Sequence, residues 1–314
     1  MRLATLKING EELAAVFTEK GLLPIRAIND ALGFGFPETL FSLIDSGRLA
    51  QMNAWYKGAG RAKLERLSRA IPFEEAVFGP LYRNPRRIFG IGLNYADHAG
   101  DIGDAPPQGF PGSFFKTADT LIGPGDEICL PALKEACRTT AEAELGVIMG
   151  KRCRDVAEED WLDAVAGFTT VLDMTEESIL KGNEYLDGNP RYLTVVKNFP
   201  TFFSFGPEFV TPDEVPDVLA LTVQSVHNGK LHAENVVANM THSPARLVSL
   251  HSSIQGWFPG DVLSTGTPRA FAIADGDVAE CRILGPDGFA FTPLTNPVRD
   301  LKKKRAKRKA KAKA

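Results

Sequence analysis

At 314 residues, 44% hydrophobic and 24% charged, the chain has the composition of an ordinary globular protein, with room for about two domains. No apolar run approaches the roughly 18 residues of a membrane span, and the start MRLATLKINGEELAAVF lacks the charged, apolar and small-residue pattern of a secretory signal, so a soluble cytoplasmic protein is expected. The net charge of −3 divides unevenly: the segment Leu301 to Ala314 carries nine Lys/Arg and no acid, leaving 27 basic and 39 acidic residues in the body, a net −12.

The chain divides by texture near residue 85, where Arg-Asn-Pro-Arg-Arg precedes the apolar run 88–93. A small N-terminal domain is expected over 1–80 and a catalytic domain over 85–298. In the first part, short elements are punctuated by Asn9-Gly10, Lys20-Gly21, Gly33 to Pro37 and Gly58 to Gly60. Residues 12–18 suit a helix or a strand equally well, because so short a segment carries no decisive periodicity. Pro37 to Ile44 reads as a helix, with Pro in the first turn and Gly47 past the end.

Beyond residue 85, strands are expected at 88–93, 143–149, 165–172, 219–226 and 278–284, which are rich in Val, Ile, Leu, Phe and Thr between Gly/Pro turns. Helices are expected at 157–164 and 243–251, the latter with Ser243 as cap and Pro244 just inside. Strands and helices do not alternate, and the GIG at 90–92 is not GxGxxG, which argues against a doubly wound nucleotide-binding fold. A β-rich α+β fold is expected. The Lys/Ala-rich run 299–314 cannot bury a core and reads as a disordered basic tail, the one segment suited to nucleic acid.

Cys129, Cys137, Cys153 and Cys281 have no CxxC spacing, and the five histidines form no HExxH or Cys/His cluster, so zinc is disfavoured and any metal falls to carboxylates. In the strand around Ala141 to Met149, Glu142 and Glu144 share a face because side chains alternate with period two. The run Val165 to Leu172 ends at Asp173, a third acid for the same rim. Three converging carboxylates need a cation, and an all-oxygen set suits Mg²⁺ or Mn²⁺, with Ca²⁺ also admissible. Glu-x-Glu alone is weak evidence, since on a half-exposed strand such a pair is usually a solvated face.

Further segments add context: Gly-Leu-Asn-Tyr-Ala-Asp-His at 92–98, Ser-Phe-Phe-Lys at 113–116, Gly-Pro-Gly at 123–125, Glu-Ala-Glu-Leu at 142–145 and Pro-Gly-Asp-Val-Leu-Ser-Thr-Gly-Thr-Pro at 259–268. In this order and spacing they resemble the catalytic domain of the fumarylacetoacetate hydrolase family over about residues 85–298. The resemblance implies a mixed β-sandwich roll, a homodimer, and a Mg²⁺ or Mn²⁺ held by Glu142, Glu144 and Asp173. It implies His98 as the catalytic histidine, oriented by Asp101 where the family commonly has Glu, and Lys197 as the metal-proximal lysine. It further implies Thr267, with Gly266 beside it, and Lys116 as contacts to a small carboxylic acid substrate.

Three positions depart from the family pattern: Glu177 stands where many members have an arginine, Lys230 and its neighbours replace a glutamine after Asn228-Gly229, and Pro200 replaces an aspartate. These departures argue for a divergent subgroup and against fumarylacetoacetate itself as substrate. A metal that stabilises an enolate serves carbon–carbon hydrolysis of an acylpyruvate-like compound and equally decarboxylation, hydration or tautomerisation. A catalytically silent metal- and ligand-binding protein, and a nucleic-acid-associated protein acting through its tail, are the competing readings.

Overall fold

Asn9-Gly10 turns the chain tightly enough to pair β1 (Arg2–Ile8) with β2 (Glu11–Thr18). Both turn residues have positive φ, 50° and 84°, and Ile8 faces Glu11 across a two-residue loop, so the Asn-Gly pair settles residues 12–18 as strand. A third strand, β3 (Gly21–Pro24), completes this antiparallel run. Helices follow at Ile25–Leu32, Leu40–Asp45 and Arg48–Trp55. The computed structural model describes residues 1–101, 106–181 and 193–303; residues 304–314 of the basic run lie outside them.

The remaining strands, in chain order, are β4 (Ile88–Gly92), β5 (Gly112–Lys116), β6 (Leu121–Ile122), β7 (Ile128–Leu130), β8 (Thr139–Met149), β9 (Val165–Glu176), β10 (Phe203–Phe205), β11 (Glu208–Val210), β12 (Thr222–His227), β13 (Lys230–Val236), β14 (Val262–Ser264), β15 (Phe271–Ala272), β16 (Val278–Leu284) and β17 (Leu294–Asp300). Among the described residues, twelve strands form one sheet with the path β3-β2-β1-β11-β9-β8-β14-β4-β5, and β6, β10 and β15 attach to it. A second sheet runs β13-β12-β16-β17-β7. The N-terminal hairpin thus continues the large sheet through β1 and β11, where Leu3 faces Phe209.

Every residue of β8 and β9 is buried. Ala141, Ala143, Leu145, Val147 and Met149 share a core with Val223, Ala279, Cys281 and Ile283 of the second sheet. Ile148, on the alternate parity, belongs to the core that includes Leu40, Leu43 and Met52 of the N-terminal helices. With both faces covered, β8 has no solvated face on which a Glu-x-Glu pair could sit.

The fold is the β-rich α+β architecture expected. Several elements differ in detail: β8 begins at Thr139, β12 begins at Thr222, and 157–164 forms the 3₁₀ helix Glu158–Ala164. The helix Pro244–Gln255 has Ser243 as its cap, the hydroxyl accepting from Arg246 N at 3.1 Å.

Candidate active site

Antiparallel register builds the centre of the site. Glu142 of β8 lies directly opposite Asp173 of β9, and Glu144 is two residues along the same face. One carboxylate oxygen from each of Glu142, Glu144 and Asp173 lies within 4.8 Å of the others. Glu142 is 6% exposed and the other two are fully buried.

Two buried lysines reach the acids from separate elements. Lys116, at the end of edge strand β5, donates to Asp173 Oδ1 at 2.5 Å and Met174 O at 3.3 Å. Lys197, just after the helix Leu193–Val196, bridges Glu142 Oε2 at 2.8 Å and Asp173 Oδ2 at 3.0 Å, with its ammonium 4.8 Å from the centre of the Phe114 ring. Burial brings Lys116 down to about 8, against the pull of Asp173. Burial works against the charge on Lys197 as well, but Asp173, Glu142 and Glu144 outweigh it and hold this lysine above its ordinary value.

Glu144 is gripped on one side. Ser264 Oγ and Gly266 N both donate to Oε2, at 2.6 and 2.7 Å, while the buried Oε1 has no hydrogen-bond partner among the described residues. Burial, then the charges of Asp173 and Glu142, raises this carboxyl to about 8. On the neighbouring acid, Glu142 Oε1 accepts from Thr175 Oγ1 at 2.5 Å. Three hard oxygen donors and an unsatisfied buried carboxylate oxygen fit a divalent cation, which would relieve the repulsion and take up the orphaned lone pair.

Asn94 ties the segment 92–98 to this rim. Its amide donates to His242 O at 3.0 Å and Thr265 O at 2.8 Å, and its Oδ1 accepts from His242 N at 2.8 Å. Tyr95 beside it is fully buried and senses Glu144: burial first, then that charge, raises its hydroxyl pKa. His98 is 8% exposed on the helix Ala96–Asp101, whose Asp97 accepts from Asn235 on β13 at 3.1 Å. The backbone of Asp101 ends that helix; its side chain lies outside the described residues, so the expected pairing with His98 does too.

The structure brings Glu142, Asp173, Lys116 and Lys197 together through direct contacts, with Glu144 within 4.8 Å of the other two acids. The N–H of Gly266 is engaged by Glu144, and Thr267, 1% exposed, donates to Arg269 O at 3.2 Å. Glu177 opens the helix Glu177–Lys181 and pairs with Arg138 at 2.7 Å. The sequence reading overlooked Asn94, Thr175 and Ser264. Thr175 was within reach of the same argument that found the acids, since it lies two residues after Asp173 on one strand; Asn94 and Ser264 lie inside the segments 92–98 and 259–268, but nothing local shows what either side chain would bind.

Residues 87–299 match the fumarylacetoacetate (FAA) hydrolase C-terminal family. The chain belongs to the fumarylacetoacetate hydrolase family. A relative in Burkholderia multivorans, whose name goes no further than a hydrolase, is 37% identical to this family member over 215 residues, 67% of this chain and 72% of that one. The maleylpyruvate hydrolase of Sphingobium sp. SYK-6 superposes on it with a TM-score of 0.72 at 26% identity, covering 96% of this chain and all of that one. A structure of the same Sphingobium enzyme with manganese(II) and pyruvate gives a TM-score of 0.71 at 27% identity, over 96% and 99% of the two chains. No described helix of this family member is long and apolar enough to cross a membrane.

Proposed function

We propose that this chain is a divalent-metal-dependent enzyme that cleaves or rearranges a small 2-oxo or β-dicarbonyl acid, with carbon–carbon hydrolysis of an acylpyruvate-like substrate as the leading reaction. The observation that carries the reading is the buried cluster of Glu142, Glu144 and Asp173 with Lys116 and Lys197 against it. The fold shared with a maleylpyruvate hydrolase crystallised with manganese(II) and pyruvate supports it.

Mg²⁺ or Mn²⁺ is the proposed cation, and when bound it supplies Lewis acidity to the keto and carboxylate oxygens of such an acid. Lys197 keeps its positive charge beside the acids and offers it to oxygen as negative charge develops on the substrate. His98 takes a proton from water, with Asp101 as the proposed orienting group. Hydrolysis then joins the water oxygen to the attacked carbonyl carbon, breaks that carbon's bond to its neighbour and returns a proton to the neighbour. Lys116 and the Gly266-Thr267 turn are the proposed walls of the substrate site, and the Arg138–Glu177 pair suits a substrate different from those of relatives with arginine at position 177.

The test is an ultraviolet assay of acylpyruvates, oxaloacetate and other 2-oxo acids with Mn²⁺ or with chelator, on the wild type and Glu144→Gln. Turnover that disappears with chelator, returns with Mn²⁺ and is lost in the variant is the expected result. Metal and 2-oxo acid binding without turnover across the panel would instead favour the silent binding protein.

A further inference from the structure

On the opposite flank of β4 from the acid cluster in sequence terms, at the Arg-Asn-Pro-Arg-Arg junction, arginines gather around one ring. The guanidinium carbon of Arg86 lies 3.6 Å from the centre of Phe258, and those of Arg87 and Arg152 each lie 5.4 Å from it. A cavity of about 330 Å³ beside them is lined by Arg152, Cys153, Arg154, Gln255, Trp257 and Phe258.

The acids nearby account for only part of this charge. Asp261 takes Arg87, which also donates to Gly256 O, and Asp155 lies 3.8 Å from Arg154. Among the described residues, Arg86 and Arg152 form no ion pair within 4 Å and no hydrogen bond through their side chains, although Asp261 is near enough to feel the charge of Arg86; both arginines lie over the ring of Phe258. Cation–π contact offsets part of the repulsion between them. In a body with a net −12, two arginines without an ion-pair partner within 4 Å meet over one ring, Arg152 and that ring lining the cavity and Arg86 reaching the ring from the junction before β4.

We infer that Arg86 and Arg152, held around Phe258, form a binding site for a small phosphoryl anion, separate from the carboxylate cluster. The guanidinium presents paired N–H groups in a plane, which matches two oxygens of one phosphoryl group. Two such forks suit an anion with two linked phosphoryl groups. Arg86 comes from the junction before β4 and Arg152 from the segment after β8, so the ligand would bridge two stretches of chain that meet only in the fold.

The experiment is calorimetric titration of the full-length, metal-stripped protein with inorganic pyrophosphate at low salt, repeated with ADP and with the double variant Arg86→Gln, Arg152→Gln. Both arginines are exposed, so the variant is expected to keep the wild-type melting temperature and circular dichroism. Saturable one-site binding, weakened about tenfold or more in the variant and falling with added salt, supports the site. ADP binding at least as tightly identifies a nucleotide as the source of the phosphoryl groups, and ADP binding more weakly identifies free pyrophosphate. Absence of saturable heat, or binding undiminished in the variant, overturns the inference.

Discussion

Gly266 and Asn94 are packed so closely that a Cβ on Gly266 would stand 2.7 Å from Cβ of Asn94 and 3.3 Å from Ile91 O. Gly266 also has φ +98°, which side-chain-bearing residues rarely adopt, and its N–H is the one that grips Glu144. Gly266→Ala is therefore expected to cost about 1–3 kcal/mol of stability and to weaken Mn²⁺ binding together with it. Urea denaturation and a Mn²⁺ titration check this; wild-type values in both would show that the turn relaxes freely.

Asn94 is 1% exposed, and its side chain satisfies two carbonyls and one N–H. Asn94→Ala strands those groups in the interior, and each unsatisfied buried group costs about 1–3 kcal/mol. Asn94→Asp keeps the acceptor and loses both donors, so it is expected to lie near Ala, not near the wild type. Chemical denaturation of the two variants gives the comparison, and an aspartate variant as stable as wild type would contradict the donor role.

Lys197 neutralises Glu142 and Asp173 inside the protein. Removing one partner of a buried ion pair typically costs about 3–5 kcal/mol, so metal-free Lys197→Met should melt well below wild type. Added Mn²⁺ should restore more stability to the variant than it adds to the wild type, because the cation replaces the missing positive charge. Equal Mn²⁺-induced shifts in melting temperature would argue that the lysine and a cation do not share this role. Turnover should remain at least about a hundredfold down even with Mn²⁺ if the ammonium is needed in the transition state.

His251 gives a prediction in pH. Burial lowers its pKa from the ordinary histidine value, the carbonyl of Leu247 opposes this, and the charge of His242 adds to the lowering. A depressed native pKa means that the unfolded chain binds the proton more readily. The stabilisation is therefore full above about pH 6.5, the unperturbed value, and is lost as pH falls toward and through the native pKa. Denaturation midpoints between pH 7 and 5 should fall more steeply in wild type than in His251→Gln; parallel slopes would remove His251 from the acid response.

The legibility of the chain follows the range of the forces involved. Strand alternation is local, and it was enough to align Glu142 with Glu144; residues 12–18 stayed open between helix and strand, and their pairing with β1 across Asn9-Gly10 decided for strand. The ordered motifs from Asn94 to Thr267 likewise sufficed to indicate the family. Burial is different, because whether a Glu-x-Glu pair faces water depends on what covers the strand, and β8 is covered on one side by the second sheet and on the other by the core shared with the N-terminal helices.

By itself, then, the sequence determined the strand-rich class, the family and the shared face of Glu142 and Glu144, which rest on periodicity and on ordered motifs, while the place of Asp173 opposite Glu142 came from the pairing of β8 with β9. Only the tertiary structure decided that the hairpin of residues 2–18 would extend the large sheet through β11, that Lys116 and Lys197 would close on the acids from two separate elements, and that Asn94 would bind Thr265. Each of these joins residues far apart in the chain, and such contacts are selected by the packing of whole faces and by the need to satisfy buried polar groups, neither of which leaves a local pattern.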